Sequence, residues 1–219
     1  MFLTRRSLLV SAGAAATVAA LPLPALAQNA ASKWFAGVSG DTGYSYRRTN
    51  FKVIEPQWKR QMVKYFSYEP AGTIVIDTRN HFLYWIWENN TALRYGVGVG
   101  KEGFQWFGHA RIDRKALWPR WVPPPEMRKR TPGLPLKVEG GAANNPLGPR
   151  ALYLYRDRRD LGYRIHGTLE PWSIGNDVSS GCIRMFPEDV IDLYQRTPQG
   201  TRVQVLEHLG APARVVKAG

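Results

Sequence analysis

One cysteine, Cys182, stands in the 219 residues, so the chain cannot close a disulfide within itself. Acid is scarce: 17 Asp and Glu face 30 Lys and Arg, a formal charge of +13, which points to anionic partners. No group of His, Cys, Asp and Glu has the spacing of zinc ligands, and neither a metal nor a cofactor is expected. Beyond the N-terminus no run approaches the roughly 20 apolar residues of a membrane-spanning helix. No internal repeat and no nucleic-acid recognition motif is found, so the charge is not assigned to nucleic-acid binding. What is present suffices for a core. Hydrophobic residues make up 44% and aromatic residues 12%, which excludes wholesale disorder. The 21 Gly and 16 Pro favour a β-rich fold with many turns over a helical bundle.

The first 27 residues have the layout of an export signal. Arg5-Arg6 precedes an apolar run, and Ala25-Leu26-Ala27 supplies the small residues at which such segments are cut. The adjacent arginines match the twin-arginine variety. A membrane anchor is the weaker reading, because the apolar core is short, rich in Ala and Gly, and followed by Pro22 and Pro24. Cleavage leaves 28 basic against 17 acidic residues in a protein expected in a bacterial periplasm. In that compartment a lone thiol is either buried and inert or kept for chemistry.

Residues 28–69 show no clear period and are expected to form an irregular lead-in whose aromatic residues pack on the domain. Residues 73–77, 81–87 and 93–99 are β-branched and aromatic runs split by turns, and predict an antiparallel meander. Prolines cluster between positions 118 and 149, where Trp118, Trp121 and Leu136 anchor a long ordered loop. Strands are expected again at 151–155, 163–166 and 201–206, with a solvated turn at 156–160. Pro187 opens a helix with Val190, Ile191 and Tyr194 on one face. The domain is placed at 70–208 and a tail at 209–219.

Two stretches carry chemistry: Ile165-His166-Gly167-Thr168, and Ser179-Ser180-Gly181-Cys182-Ile183-Arg184-Met185. A thiol becomes a strong nucleophile when an imidazole accepts its proton, and the imidazole needs a third group to fix its tautomer. Small residues before Cys182 leave backbone N–H groups able to face an oxyanion. Arg184 can hold a carboxylate through its planar fork. The competing reading makes Cys182 a small buried hydrophobe and His166 a structural residue.

These two stretches resemble the signature of the L,D-transpeptidase catalytic domain, the YkuD-like family. The likeness extends to residues 72–77, 82–84 and 94–100, to Trp121-Val122-Pro123-Pro124-Pro125-Glu126-Met127, and to residues 144–148 and 170–175. It implies a mainly β, sandwich-like fold of mostly antiparallel strands, with a short helix after the cysteine and long loops around the site. It also implies ping-pong acyl transfer on peptidoglycan stem peptides. By that resemblance Cys182 attacks the L-centre carbonyl before the terminal D-Ala of a tetrapeptide, D-Ala leaves, and an amine resolves the thioester. The amine belongs to a second stem or to an anchored outer-membrane lipoprotein. His166 is then base and acid, the Gly167 carbonyl orients its ring, and the Gly181 and Cys182 N–H groups form the oxyanion hole. Arg184, Ser180 and Trp172 are the substrate-binding candidates, with Arg184 either binding substrate or holding the loop, and carbapenem-type inhibitors are expected to acylate Cys182. Ser180 departs from the pattern, since many relatives carry His there.

Other residues have plainer readings. His81 and His208 are expected at the surface and His109 at a strand edge. Asn176 and Asp177 sit on the loop between the two stretches, and Trp106, Trp118 and Trp121 serve as loop anchors or stacking surfaces. Two further functions compete. Water could resolve the same thioester, giving an L,D-carboxypeptidase or amidase. A non-catalytic wall-binding module needs no thiol, and the pairing of Cys182 with His166 argues against it.

Overall fold

Short β-branched and aromatic runs broken by turns build sheets, and the computed structural model of the protein is mainly β. It describes residues 31–101 and 106–207. The expected export signal at 1–27, the tail at 209–219 and His208 lie outside the described residues. The chain divides into two compact units, residues 1–32 and 33–219, and the architecture below is that of the second.

The meander forms as expected, from β4 (Ile74–Asp77), β5 (Phe82–Ile86) and β6 (Thr91–Gly96), paired antiparallel. The lead-in is more regular than its sequence implies. It holds a hairpin of β1 (Phe35–Asp41) and β2 (Tyr44–Thr49), and then β3 (Gln61–Lys64), which pairs with β6. After the two-residue β7 (Val99–Gly100) comes β8 (Gly108–Leu117), then β9 (Arg150–Arg156) and β10 (Arg159–Gly167). Asp157 and Arg158 turn β9 into β10 at φ +50° and +64°, the left-handed geometry of a tight hairpin. The chain ends its described part with β11 (Asp177–Ser179), β12 (Ile183–Met185) and β13 (Arg202–Val205).

Nine strands form one sheet in the order β12-β10-β9-β8-β13-β4-β5-β6-β3. Most pairs are antiparallel, while β12 on β10 and β13 on β4 run parallel. β12 returns to β10 through the segment at 168–182, and β13 reaches β4 from the end of the helix that follows β12, since parallel neighbours cannot be joined by a tight hairpin. Helix α1 (Pro125–Arg130) lies in the proline-rich loop, and α2 (Pro187–Arg196) follows β12. Pro187 starts α2 as the sequence suggests, but its buried apolar face is Val190 and Leu193, with Ile191 half-buried.

Ile76, Leu83 and Tyr95 from the meander meet Ile112, Leu154 and Ile165 from the other half in one core, closed by Val190 and Leu193. Tyr95 Oη donates to Asp192 of α2 at 2.6 Å, which satisfies a hydroxyl that the core would otherwise bury unpaired. A second cluster covers the opposite face of the meander: Val75, Phe82 and Tyr84 pack against Trp58, Val63 and Tyr65 of the lead-in. Burial and the adjacent Asp77 carboxylate push the Tyr84 phenol up to about 12. Arg150, only 4% exposed, grips Asp41 through both terminal nitrogens at 2.6 and 2.9 Å, tying the β1–β2 hairpin to β9. That pair holds the Asp41 carboxyl below its ordinary range.

Candidate active site

A β-strand sends alternate side chains to opposite faces, and β10 and β12 use this to sort core from chemistry. Ile165, Ile183 and Met185 enter the core, whereas His166, Cys182 and Arg184 line a cleft of about 820 Å³. The parallel register sets Ile165 opposite Ile183 and His166 opposite Arg184. Cys182 immediately precedes that ladder, which brings it and His166 to one end of the sheet. The short parallel ladder of Asp177 with Val99 and Ser179 with Gly100 positions the segment that leads into the cysteine.

His166 is 5% exposed, and its Nδ1 lies 2.6 Å from the Gly167 carbonyl oxygen. A carbonyl only accepts, so Nδ1 carries the proton and Nε2 is left with a lone pair. Burial holds the imidazole down at about 4, against the weaker upward pull of the Gly167 carbonyl. The Cys182 thiol is half-buried and pushed up by burial, with the Arg164 backbone and the Arg164 and Arg184 guanidinium groups acting the other way. Burial thus favours the uncharged form of both the imidazole and the thiol. Gly167 has no room for a side chain: a Cβ there would sit 2.9 Å from Pro149 Cδ and 3.3 Å from the Leu147 carbonyl oxygen.

The turn before the cysteine is held by one hydroxyl. Ser179 Oγ donates to the Cys182 carbonyl at 2.6 Å and accepts the Gly181 N–H at 3.1 Å. Gly181 sits at φ +105°, a conformation that favours glycine. Nothing in the sequence singles out Ser179 from Ser180 beside it. Ser180 is exposed and accepts a 3.3 Å contact from Arg130 of α1.

The remaining sequence candidates divide. Arg184 Nη1 pairs with Glu170 at 2.5 Å, and its backbone exchanges two hydrogen bonds with Gly98. It thus clasps the loop after β10 to the strand on its other side. Trp172 is not brought to the cleft; it stacks near Trp34 and Phe35 and lines a separate hollow with Trp58 and Ile174. Trp121 does line the cleft, while Trp118 hydrogen-bonds the β1–β2 turn and Trp106 stacks on Tyr163. His81 pairs with Asp177 at 3.0 Å, and Asn176 bonds the Trp172 carbonyl. His109 is exposed on β8, away from the cleft, beside Arg111 and Arg202. Among the described residues no group of three or more His, Cys, Asp or Glu could hold a metal ion, and no helix is long and apolar enough to cross a membrane.

The sequence profile of the L,D-transpeptidase catalytic domain, YkuD, matches residues 71–205. A probable L,D-transpeptidase of Escherichia coli K12, ErfK/SrfK, is 34% identical over 144 residues, 62% of this chain and 44% of its own. A putative L,D-transpeptidase of Fuscovulum blasticum, from the ATP synthase subunits region, is 32% identical over 207 residues, covering 93% of this chain and 98% of its own. The chain thus spans less than half of the length of the Escherichia coli relative. Among solved structures, a probable carnitine operon oxidoreductase from Brucella melitensis shares 46% identity with a TM-score of 0.48, over 72% of this chain and 99% of that one.

Proposed function

The chain belongs to the L,D-transpeptidase catalytic-domain family, and we propose that it transfers an acyl group between peptidoglycan stem peptides by way of a thioester on Cys182. The observation that supports this most directly is the pairing itself: Cys182 and His166 line one cleft, with the His166 ring fixed by the Gly167 carbonyl. As Sγ attacks the L-centre carbonyl of the donor, its proton passes to His166 Nε2. The carbonyl becomes a tetrahedral oxyanion, which the Gly181 and Cys182 N–H groups stabilise. Collapse breaks the C–N bond, His166 returns the proton to the leaving D-Ala amine, and a thioester remains. The acceptor amine then attacks, His166 takes its proton, and the thiol is regenerated when that proton is given back.

A His166 held near 4 stays neutral and ready to accept throughout the physiological range. Its proton is handed on readily once the thiol has reacted. Arg184 serves by holding Glu170 and the loop that forms one wall of the cleft. Peptidoglycan as substrate places the protein outside the cytoplasm, in the periplasm, exported by the segment 1–27. Carbapenem-type lactams, which present a strained carbonyl, are expected to acylate Cys182.

Incubating purified tetrapeptide muropeptides with the protein, beside Cys182→Ala, tests the reaction by mass spectrometry. Loss of D-Ala with a dimer joined between third-position residues establishes acyl transfer. A tripeptide monomer alone moves hydrolysis ahead. No change in either sample, together with no carbapenem adduct, overturns the proposal.

A further inference from the structure

Four arginines line the cleft: Arg114, Arg120, Arg164 and Arg184. Three have a carboxylate partner. Arg120 pairs with Glu139 at 3.1 Å, Arg164 with Asp160 at 2.7 and 2.8 Å, and Arg184 with Glu170 at 2.5 Å. Arg114 differs: among the described residues no carboxylate partners it, and its guanidinium lies 4.3 Å from the centre of the Tyr153 ring. Arg164 lies at the same distance from that ring, so Tyr153 stands between two guanidinium groups while only one of them has its charge matched.

Geometry makes this more than a surface charge. A register shift in β8 between Ile112 and Arg114 breaks the alternation, so that Ile112 enters the core while Arg114 turns to the cleft. Arg114 is aligned with Tyr153 on β9, and Tyr153 with Arg164 on β10. Arg164 in turn neighbours Cys182, the residue before Ile183 in the parallel ladder. One row therefore runs across the sheet from thiol to Arg114. Three strand spacings separate their backbones by roughly 14 Å. The Arg114 guanidinium lies over the Tyr153 ring, one strand nearer the thiol than its own backbone, which leaves a span that a few residues of extended peptide can bridge. The Tyr153 face restrains the guanidinium, so little side-chain entropy is left to lose on binding.

We propose that Arg114 is a specificity-determining residue that grips an ionised carboxylate of the donor stem, on the acyl side of the attacked carbonyl. This rests on the transpeptidase reading for the identity of the donor. The row that joins Arg114 to the thiol runs along one wall of the cleft, which is the basis for giving it to the donor. It makes the enzyme select stems whose carboxylate is free over stems in which the same group is amidated.

Binding in the Cys182→Ala background isolates recognition from chemistry. A tetrapeptide stem with free carboxylates and the same stem amidated at its acyl-side carboxylates are titrated calorimetrically into Cys182→Ala and into Cys182→Ala carrying Arg114→Gln. The free acid is expected to bind roughly tenfold to a hundredfold tighter than the amide, as for a charge-assisted bidentate contact, and Arg114→Gln to collapse that ratio towards one. Arg114→Lys, which keeps the charge without the fork, is expected to fall between. Equal binding of both stems, or a preference that survives Arg114→Gln, overturns the proposal. Turnover by the unsubstituted protein is read separately. Selective binding without turnover leaves the Arg114 assignment standing and removes the transpeptidase reading. Turnover without selectivity does the reverse.

Discussion

The two halves of the large sheet are built from similar strands and end with different surfaces. In the meander β4–β6 both faces are buried, one in the main core and one beneath Trp58, Val63 and Tyr65. In β8–β10 and β12 one face enters the core, and the other lines a cleft with Tyr153, Arg164, His166 and Cys182, of which Tyr153 and His166 are themselves buried. The difference lies in what covers the sheet. The lead-in lies over the meander, whereas the proline-rich loop arches over the second half and leaves space beneath it. That loop is pinned where it touches: Trp121 and Val138 exchange backbone bonds at 2.9 and 2.8 Å, and buried Asn145 donates to the Pro119 and Glu139 carbonyls. Stability thus concentrates in the closed half and chemistry in the open one.

The sharpest break in that division comes at the thiol. Cys182→Ala is expected to lower acyl transfer by on the order of a thousandfold or more while moving the melting midpoint little, because the side chain faces the cleft. The converse is Leu83→Ala, fully buried in the closed half, which is expected to cost about 2–5 kcal/mol in chemical denaturation with the rate per folded molecule unchanged. A collapse of activity per folded molecule in the second variant would unite the halves that the structure separates.

Acidity gives a subtler comparison. His166 has its folded value lowered from 6.5 to about 4, so the unfolded chain binds its proton first and stability falls as pH drops from 6.5 to 4, by roughly 3 kcal/mol. Asp189, buried on α2, is raised from 3.8 to about 7 by desolvation, partly countered by Arg60. Its sign is opposite: the folded chain holds that proton more tightly, and stability rises as pH drops through the same window. The two are expected to offset, leaving urea midpoints nearly level between pH 6.5 and 4.5. Asp189→Asn then exposes the His166 slope, and a level profile in that variant would show His166 to be less desolvated than its burial indicates. The acid limb of kcat/KM is expected near 4, followed by a plateau through neutral pH. The smallest effect belongs to Glu170→Gln. Its pair with Arg184 is half-exposed, so the loss of stability is expected to stay below about 1 kcal/mol, and a two- to tenfold fall in kcat/KM would register the loosened loop.

The legible parts of the molecule were those with local cause. The meander is written in β-branched runs between turns, the Asp157-Arg158 hairpin in its charges, and α2 in Pro187. The Cys182 and His166 stretches stand out because few other roles need that pairing. Beyond the strand edge at His109, β8 is hidden in the sequence because Arg111, Asp113, Arg114 and Lys115 break the apolar alternation, which the register shift between Ile112 and Arg114 accommodates. β1 and β2 have little apolar patterning, and long-range contacts such as Asp41 with Arg150 secure the hairpin across 109 positions. Leu193, rather than Ile191, is buried because the tilt of α2 is set by Tyr95 and Arg60 binding Asp192, partners far away in the chain. Trp172 shows the opposite error. Its place between the two motif stretches suggested the cleft, and aromatic neighbours from the lead-in drew it elsewhere.

Ser179 leaves one further consequence. Its hydroxyl already accepts from the Gly181 N–H, at 3.1 Å, on the long side of the ordinary range. A planar substrate carbonyl is uncharged, as that hydroxyl is, and has only a small advantage in displacing it. A full negative charge is a far stronger acceptor and captures the donor outright. In the proposed reaction the serine therefore acts as a threshold: the amide is spent on the oxyanion and withheld from the substrate, which is the asymmetry that turns binding into rate.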